Sequence, residues 1–207
     1  KDFQPVANHV QDPGAIFVRT ESPFKTLEDL LKEAKAKPKQ VKVSTTGIGS
    51  DDHLSVLDVE RKAGVQFTTV HLLDTPTAIR QALGGHIDAD FDNVGGFLPS
   101  TKSGQGRMLA VFDEKRFPDA PDVPTMREKG IELISSSTRG YVYPAGTPME
   151  IVKYMEECIK KAMDDPDHVK RMKESGLALK FMGVDDFAKF LESQNERAKD
   201  LIGLYRK

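Results

Sequence analysis

One segment of the sequence alternates small polar residues with glycines: Ser44-Thr45-Thr46-Gly47-Ile48-Gly49-Ser50. Gly47 and Gly49 permit left-handed backbone and let a ligand approach the main chain closely. Ser50 is a typical helix N-cap, and apolar residues at helical spacing follow it. The free N–H groups from Ser50 to His53 would lie at the positive end of the helix dipole. Together with the loop hydroxyls, they favour a small anion such as a carboxylate or a phosphate.

The same residues also fit an ordinary turn between a strand and a helix, because Ser, Thr and Gly are common there. Asp51 and Asp52 follow the N-cap directly. Their carboxylates would occupy the favourable field of the helix dipole themselves, unless the side chains point outward and only the amides face a ligand. From the residues alone, the anion site and the plain turn both stay open.

A second polar loop, Asp92-Asn93, ends a predicted strand in which Ile87, Ala89 and Phe91 alternate with aspartates. Asn93 offers both a donor and an acceptor, which would orient a polar ligand. An Asn or Asp that caps the next helix explains the pair equally well. In an open parallel sheet, ligands bind where strands end and lead into helices, so both loops are candidate ligand contacts.

Catalytic and metal chemistry have little support in the sequence. Ser50 and His53 lie three residues apart, but no G-x-S-x-G motif surrounds them, so we interpret the spacing as helix capping. Asp88, Asp90 and Asp92 could ligate Mg²⁺ or Ca²⁺, but such alternation is usual for a polar strand face. The histidines lack the spacing of metal ligands, and the glycine loop matches neither a dinucleotide fingerprint nor a P-loop. We therefore predict no catalytic residue, no metal site and no cofactor.

The composition fits a globular protein without a nucleic-acid partner. The 207 residues are 38% hydrophobic, and 30 Lys and Arg against 32 Asp and Glu give a net charge of −2, which offers no attraction for a polyanion. No apolar stretch approaches the ~18 residues of a membrane span. The single cysteine, Cys158, cannot form an intrachain disulfide. Because the chain opens Lys1-Asp2-Phe3, we expect that a leader has been removed or that the chain begins inside a longer protein.

Strands and helices alternate as far as Phe112, which predicts an α/β fold with a mostly parallel sheet. Asp12-Pro13-Gly14 indicates a turn within the first apolar stretch, residues 6–19. Further strands are predicted at residues 41–44, 66–70, 87–92 and 108–112, and helices after Thr26, after Ser50 and at Pro76. Beyond Pro144, apolar residues at helical spacing predict that the chain is helical.

Several segments, in this order along the chain, resemble the substrate-binding receptors of tripartite tricarboxylate transporters, the Bug-type periplasmic solute-binding proteins. They are Phe3-Gln4-Pro5-Val6-Ala7, residues 44–54, Ala82-Leu83-Gly84-Gly85-His86-Ile87-Asp88, Phe91-Asp92-Asn93, the proline-rich residues 116–125, and Pro144-Ala145-Gly146-Thr147-Pro148. The last two are particularly distinctive. The resemblance spans almost the whole chain.

The resemblance implies a type II periplasmic-binding-protein-like fold, in which two lobes close on a small carboxylate. Residues 1–21 would be strands that cross from the first lobe, residues 22–139 the α/β ligand-binding second lobe, and residues 140–207 the hinge return with C-terminal helices of the first lobe. The N-terminal segment of the first lobe, with its own glycine-rich loop, would then be missing. The helices after Pro148 would keep an exposed apolar face, through which the chain could self-associate.

The resemblance also implies which residues contact the ligand. In the family, backbone amides and ordered waters hold one carboxylate at the loop that matches Thr45–Ser50, and Asp92 and Asn93 fall where the family lines the same cleft. Arg139 could pair bidentately with a second carboxylate, although a surface strand arginine explains it equally well. The predicted ligand-binding residues are Thr45, Thr46, Gly47, Gly49, Ser50, His53, Asp92, Asn93 and Arg139, with Thr46, Gly47, Gly49 and Ser50 as amide donors. Asp90 and residues 70–76 depart from the family pattern, so we expect an unusual ligand.

These observations predict a non-catalytic, extracytoplasmic or periplasmic receptor. It would bind a mono-, di- or tricarboxylate and deliver it to the membrane permease subunits of a tripartite tricarboxylate transporter. The alternative is a flavodoxin-like enzyme or regulatory domain that binds a phosphorylated small ligand at the same helix N-terminus. A third hypothesis is an isolated lobe that binds no ligand unaided.

Overall fold

The computed structural model describes residues 2–205. The strands are β1 (Phe3–Arg19), β2 (Lys42–Thr45), β3 (Thr68–His71), β4 (Ala89–Asn93), β5 (Gly106–Val111), β6 (Ser136–Pro144) and β7 (Leu179–Met182). The helices are α1 (Leu27–Ala36), α2 (Asp51–Ala63), α3 (Thr75–Leu83), α4 (Val94–Lys102), α5 (Met149–Met163), α6 (Pro166–Glu174) and α7 (Val184–Tyr205), with a 3₁₀ turn at Arg127–Lys129. None of the helices in this part of the chain is long and apolar enough to cross a bilayer.

The chain forms two compact units. The sheet unit comprises residues 13–136 and 201–205, and the helical unit comprises residues 2–12 and 137–200. Along the described residues the chain thus passes from one unit to the other three times, between residues 12 and 13, between residues 136 and 137, and between residues 200 and 201. The lobe boundaries near residues 21 and 139, which the family resemblance implies, stay a prediction.

The sheet unit contains a five-stranded sheet in the order β3-β2-β4-β1-β5. Strand β2 pairs in parallel with both β3 and β4, whereas β1 runs antiparallel to β4 and β5. Four of the five strands therefore share one direction, which confirms the predicted mostly parallel sheet. In such a sheet the loops that follow β2 and β4 emerge at the same edge.

Helix boundaries in the sheet unit follow local capping chemistry. Thr26 and Asp29 form a capping box at the start of α1, in which each side chain accepts a hydrogen bond from the other residue's N–H. Asp74 caps α3, and Pro76 occupies its first turn, where the missing N–H costs nothing. Helix α2 ends at Gly64, whose φ of 65° is a left-handed conformation that glycine adopts without strain. Of these positions, the sequence predicted the helix starts after Thr26 and at Pro76.

The core of the sheet unit lies between the sheet and helices α1 and α2. Ile16 and Val18 of β1 face this core, which also includes Leu27, Leu30, Val43, Val56, Val59, Phe91, Phe112 and Leu133. Phe17, between them on β1, faces the other side of the sheet and stacks on Phe97 of α4 with ring centroids 4.8 Å apart. Because side chains alternate along a strand, β1 buries apolar groups on both faces. Helices therefore cover both sides of the sheet.

The predicted turn at Asp12-Pro13-Gly14 is wrong, because β1 runs through it without interruption. Gly14 N–H donates to Ser135 O at 2.9 Å, and Gly14 O accepts from Phe112 N–H at 2.8 Å. A Cβ atom on Gly14 would lie 2.6 Å from a carbon of the Phe112 ring. Glycine is therefore needed here for a close approach of two chain segments, and the Pro-Gly pair marks the passage between units.

In the helical unit, the first part of β1 pairs with β6 and antiparallel with β7. Its small core contains Val6, Val152 and Val184, with Tyr143, Met155 and Ile159 packed against them. The sequence predicted helices from Met149 onward and missed β7, because a four-residue strand between two helices gives no clear periodicity. Met149, Ile151 and Tyr154 on α5 are exposed.

A side chain at Gly106 should destabilise the sheet unit. A Cβ atom there would overlap the buried ring of Phe17 and lie 2.7 Å from Val18 O. We expect Gly106→Ala to lower the free energy of unfolding by about 1–3 kcal/mol, the usual cost of overpacking, in urea titrations. Gly203→Ala is the matched control, since no atom of the described residues, apart from its chain neighbours and its own helix backbone, lies within 4 Å of its Cβ position. An equal loss in both variants would contradict the packing argument.

Candidate functional site

Ser50 shapes the loop between β2 and α2. Its hydroxyl accepts a hydrogen bond from His53 N–H at 3.1 Å and donates one to Gly47 O at 2.9 Å. Its own N–H also donates to Gly47 O, at 3.3 Å. Ser50 therefore caps α2 as predicted and also closes the preceding turn.

Gly47 and Gly49 give this loop its open surface. Their φ angles are 143° and 81°, the left-handed range that the sequence predicted for them. No atom lies within 4 Å of a Cβ position at either glycine. Ile48 between them is 72% exposed. The main chain of residues 47–49 is thus accessible to a small ligand.

Four loop amides already have acceptors within the chain. Thr46 N–H donates to Asp52 Oδ2 at 3.3 Å, and Gly49 N–H donates to His53 Nδ1 at 3.0 Å. The N–H groups of Ser50 and His53 are bonded as described above. In this conformation Thr46, Gly49 and Ser50 therefore do not offer the free amides expected of them, because neighbouring groups of the protein accept those hydrogens.

The amides that remain lie on either side of Ser50. Within residues 2–205, the N–H groups of Gly47, Ile48, Asp51 and Asp52 have no hydrogen-bond acceptor. Two of them belong to the open loop and two to the first turn of α2, where intrahelical acceptors do not exist. The donors for an anion are thus centred on Gly47 and Ile48 rather than on Thr46 and Gly49.

The acidic residues at the start of α2 oppose an anion less than their number suggests. Asp52 is buried, and both the N–H and the hydroxyl of Thr46 donate to its Oδ2. Burial, followed by the nearby charges of Asp51 and Asp92, raises the pKa of Asp52 to about 8. At neutral pH this carboxyl is therefore mostly protonated and adds little negative charge.

Strand β4 carries two buried carboxyl groups, which corrects the interpretation of Asp90 and Asp92 as part of a polar, solvated strand face. Asp90 has no exposed surface, and Asp92 is 3% exposed. Asp88 alone is exposed, and its Oδ2 accepts from Lys42 N–H at 2.8 Å. The reason is topological: β4 is an inner strand of the sheet, and helices cover both sides.

Asp90 lies opposite Ser44 in the register of β2 and β4. Ser44 Oγ donates to Asp90 Oδ1 at 2.7 Å, whereas Asp90 Oδ2 is buried without a partner among the described residues. Burial raises the pKa of Asp90 to about 8. Asp92 Oδ1 accepts from Asn93 N–H at 2.7 Å, and burial raises the pKa of Asp92 as well.

Asn93 joins the two predicted ligand loops. Its Nδ2 donates to Asp51 Oδ2 at 3.2 Å, so the end of β4 is tied to the first residue of α2. Asn93 is the N-cap residue of α4, but its side chain makes no capping hydrogen bond there. The structure therefore brings Asp92 and Asn93 next to the start of α2, as the parallel sheet predicted.

Two histidine side chains pack against each other next to this loop. The rings of His53 and His71 meet edge to face, with centroids 4.7 Å apart. Thr45 Oγ1 and His71 Nδ1 form a hydrogen bond of 2.7 Å. Burial, and secondarily His71, lowers the pKa of His53, and burial lowers the pKa of His71. Both rings are therefore neutral at pH 7, and His71 is a residue that sequence reasoning missed although it directly follows the predicted strand 66–70.

Arg139 lies on β6 in the helical unit and is exposed. Burial, His168 and Arg139, in that order, lower the pKa of His9 on β1. The pairing of Arg139 with a second carboxylate stays a prediction. Within residues 2–205, no three His, Cys, Asp or Glu side chains are arranged to hold a metal ion.

The model of the tripartite tricarboxylate transporter family receptor, TctC, matches residues 1–205. The chain belongs to this receptor family. The family that the sequence motifs suggested is thereby confirmed. Family members are solute-binding receptors and not enzymes, which also confirms the prediction of a non-catalytic protein.

Curated relatives of this TctC chain are longer than it is. A UPF0065 protein in the gbd 5' region of Cupriavidus necator is 29% identical over 202 residues, which are 98% of this chain and 62% of that protein. Protein BugT of Bordetella pertussis is 25% identical over 95% of this chain and 61% of BugT. The chain thus spans about three fifths of the length of these relatives.

Solved structures of the family share the fold. A TctC solute binding protein from Polaromonas has a TM-score of 0.86 at 30% identity. The match includes 98% of this chain and 69% of the Polaromonas chain. An R. palustris protein with adipate has a TM-score of 0.84, and MatC from Rhodopseudomonas palustris with bound malate has 0.81, both at 25% identity. They cover 98% and 97% of this chain, which covers 69% of each. The predicted periplasmic-binding-protein-like α/β fold is confirmed.

The buried carboxyl of Asp90 should make stability depend on pH. The folded protein holds this proton up to about pH 8, whereas the unfolded chain releases it near pH 3.8. The stabilisation is therefore complete below pH 3.8 and is lost as the pH rises to about 8. We expect Asp90→Asn to remove most of this pH-dependent loss, which is on the order of 5 kcal/mol for a pKa that moves from 3.8 to about 8, and a flatter profile of unfolding free energy against pH measures the difference.

Asp122→Asn is the control for this titration, because Asp122 is exposed. Its profile should follow that of the unmodified chain. If Asp90→Asn and the unmodified chain lose the same stability between pH 4 and pH 8, Asp90 is ionised in the folded protein and the assignment is wrong.

Proposed function

We propose that the chain is the ligand-binding part of a periplasmic receptor that binds a small carboxylate and delivers it to the permease subunits of a tripartite transporter. Membership of the TctC family supports the receptor role. Two structural relatives at 25% identity contain adipate and malate, both dicarboxylates. We therefore propose a dicarboxylate as the first ligand class to test.

The accessible main chain at Gly47 and Ile48 is the observation that carries this proposal. Neither N–H group has an acceptor among residues 2–205, and the space at the Cβ positions of Gly47 and Gly49 is open. They lie beside the N-terminus of α2, a 13-residue helix whose dipole favours an anion. A carboxylate there would accept charge-assisted hydrogen bonds from neutral amide donors.

The protonation of a nearby acidic residue also favours binding of an anion at this loop. Asp52 is largely neutral at pH 7, because its pKa is raised to about 8. Its side chain is also buried and bonded to Thr46, so it does not cover the exposed loop. Asn93 is partly exposed beside Asp51 and would orient the polar remainder of the ligand.

Two glycines with left-handed φ angles, one just before α2 and one at its C-terminal end, provide a matched pair of variants. Gly49 and Gly64 have φ angles of 81° and 65°, and neither has an atom within 4 Å of its Cβ position. A side chain strains the backbone equally at both, but only Gly49 lies in the loop that is proposed to bind the ligand. Calorimetric titration with malate and adipate at pH 7 compares them.

We expect Gly49→Ala to weaken dicarboxylate binding by at least about tenfold, or 1.4 kcal/mol. Gly64→Ala should lose similar thermal stability and keep the affinity of the unmodified chain. Equal affinity in both variants would remove the loop from the site. Tight binding of a phosphate ester without any carboxylate binding would favour the phosphorylated-ligand alternative.

A further inference from the structure

One imidazole nitrogen accepts a hydrogen bond from the main chain of the proposed ligand-binding loop, residues 46–50. Gly49 N–H donates to His53 Nδ1 at 3.0 Å, and His53 lies in the first turn of α2, where its own N–H bonds to Ser50 Oγ. Nδ1 can accept this hydrogen only if it carries none itself, so the ring proton resides on Nε2. The conformation of the glycine loop is therefore tied to one tautomer of His53.

We propose that His53 is a positioning residue, whose bare Nδ1 holds the Gly49 amide and so keeps Gly47 and Ile48 exposed to a carboxylate. This inference rests on the proposed function of the loop. The sequence analysis gives His53 only as a ligand-binding residue, whereas the geometry assigns it an action through Gly49. Gly49 then serves the site by fixing the turn rather than by donating to the ligand.

His71 fixes the orientation of the His53 ring. It is the register partner of Thr45 on the neighbouring strand, and the two side chains are hydrogen bonded at 2.7 Å. Thr45 is fully buried, and its carbonyl accepts from Leu72 N–H at 2.8 Å, so β2 anchors this part of β3. The edge-to-face contact at 4.7 Å then limits rotation of the His53 ring.

The surroundings of His53 oppose its protonation. His53 and His71 line a cavity of about 320 Å³ together with Lys39, from the loop before β2, and Glu60, from α2. Lys39 and Glu60 have opposite charges, so neither sign dominates. Burial and His71 lower the pKa of His53. Below that pKa, Nδ1 becomes a donor that faces the Gly49 N–H, and the hydrogen bond is lost.

The first test uses the ligand-free protein. Nitrogen-15 NMR of the histidine rings should show His53 as the Nε2–H tautomer, with titration below the ordinary value of 6.5. The amide resonance of Gly49 should shift with the same midpoint. A proton on Nδ1 at neutral pH, or a Gly49 resonance that ignores the titration, overturns the proposal regardless of any ligand.

The second test compares two replacements of the acceptor. In His53→Asn, the side-chain oxygen can take the place of Nδ1 without titrating, whereas His53→Leu has similar bulk and no acceptor. With malate at pH 7, we expect the Asn variant to bind within about threefold of the unmodified chain and the Leu variant at least about tenfold more weakly. The affinity of the unmodified chain relative to the Asn variant should fall as the pH drops through the His53 titration.

His86→Leu is the control, since His86 is exposed on the turn after α3, and its affinity should not change. Normal binding by a folded Leu variant overturns the positioning role. If the Leu variant does not fold, the Asn variant decides, because weak binding there contradicts the rescue. If the unmodified chain binds no dicarboxylate, the proposed function fails, while the NMR test still settles the role of His53.

Discussion

The candidate site depends on how the N–H groups around the start of α2 are divided between the protein and its surroundings. A helix leaves its first amides without intrahelical acceptors. Ser50 and His53 supply internal acceptors for part of this set and so fix the loop. The N–H groups of Gly47 and Ile48 have no acceptor in the part of the chain that the structure describes. If every N–H group were bonded within the protein, no donor would remain for an anion. If no N–H group were bonded within the protein, the loop would have no defined conformation.

The buried acids beneath the site follow from the same electrostatic constraint. A carboxylate removed from water and placed near other carboxylates takes up a proton, which is the condition of Asp52 and Asp90. Asp52 and Asp90 therefore add little negative charge to this region at neutral pH. An anion bound at Gly47 and Ile48 would disfavour ionisation of Asp52 further, so anion binding and proton retention support each other.

Features of the fold that depend on neighbouring residues could be predicted from the sequence. The hydrogen-bond partners and the burial of individual side chains were much harder to predict. The cap at Ser50 and the left-handed glycines Gly47 and Gly49 depend on adjacent residues, and the sequence predicted them. The acceptor that takes the Gly49 hydrogen depends on the rotamer of a side chain one turn later, and the burial of Asp90 depends on β4 having a strand on either side. Neither is encoded in a local pattern.

Register explains why His71 escaped the sequence analysis. The strand was predicted at residues 66–70, but β3 is Thr68–His71, because its pairing with β2 sets its limits. That one-residue difference at the C-terminal end places His71 opposite Thr45. In a parallel pair, a slip of one residue would turn the imidazole to the opposite face of the sheet, away from His53. The contact between His71 and His53 therefore depends on the register of the β2–β3 pair.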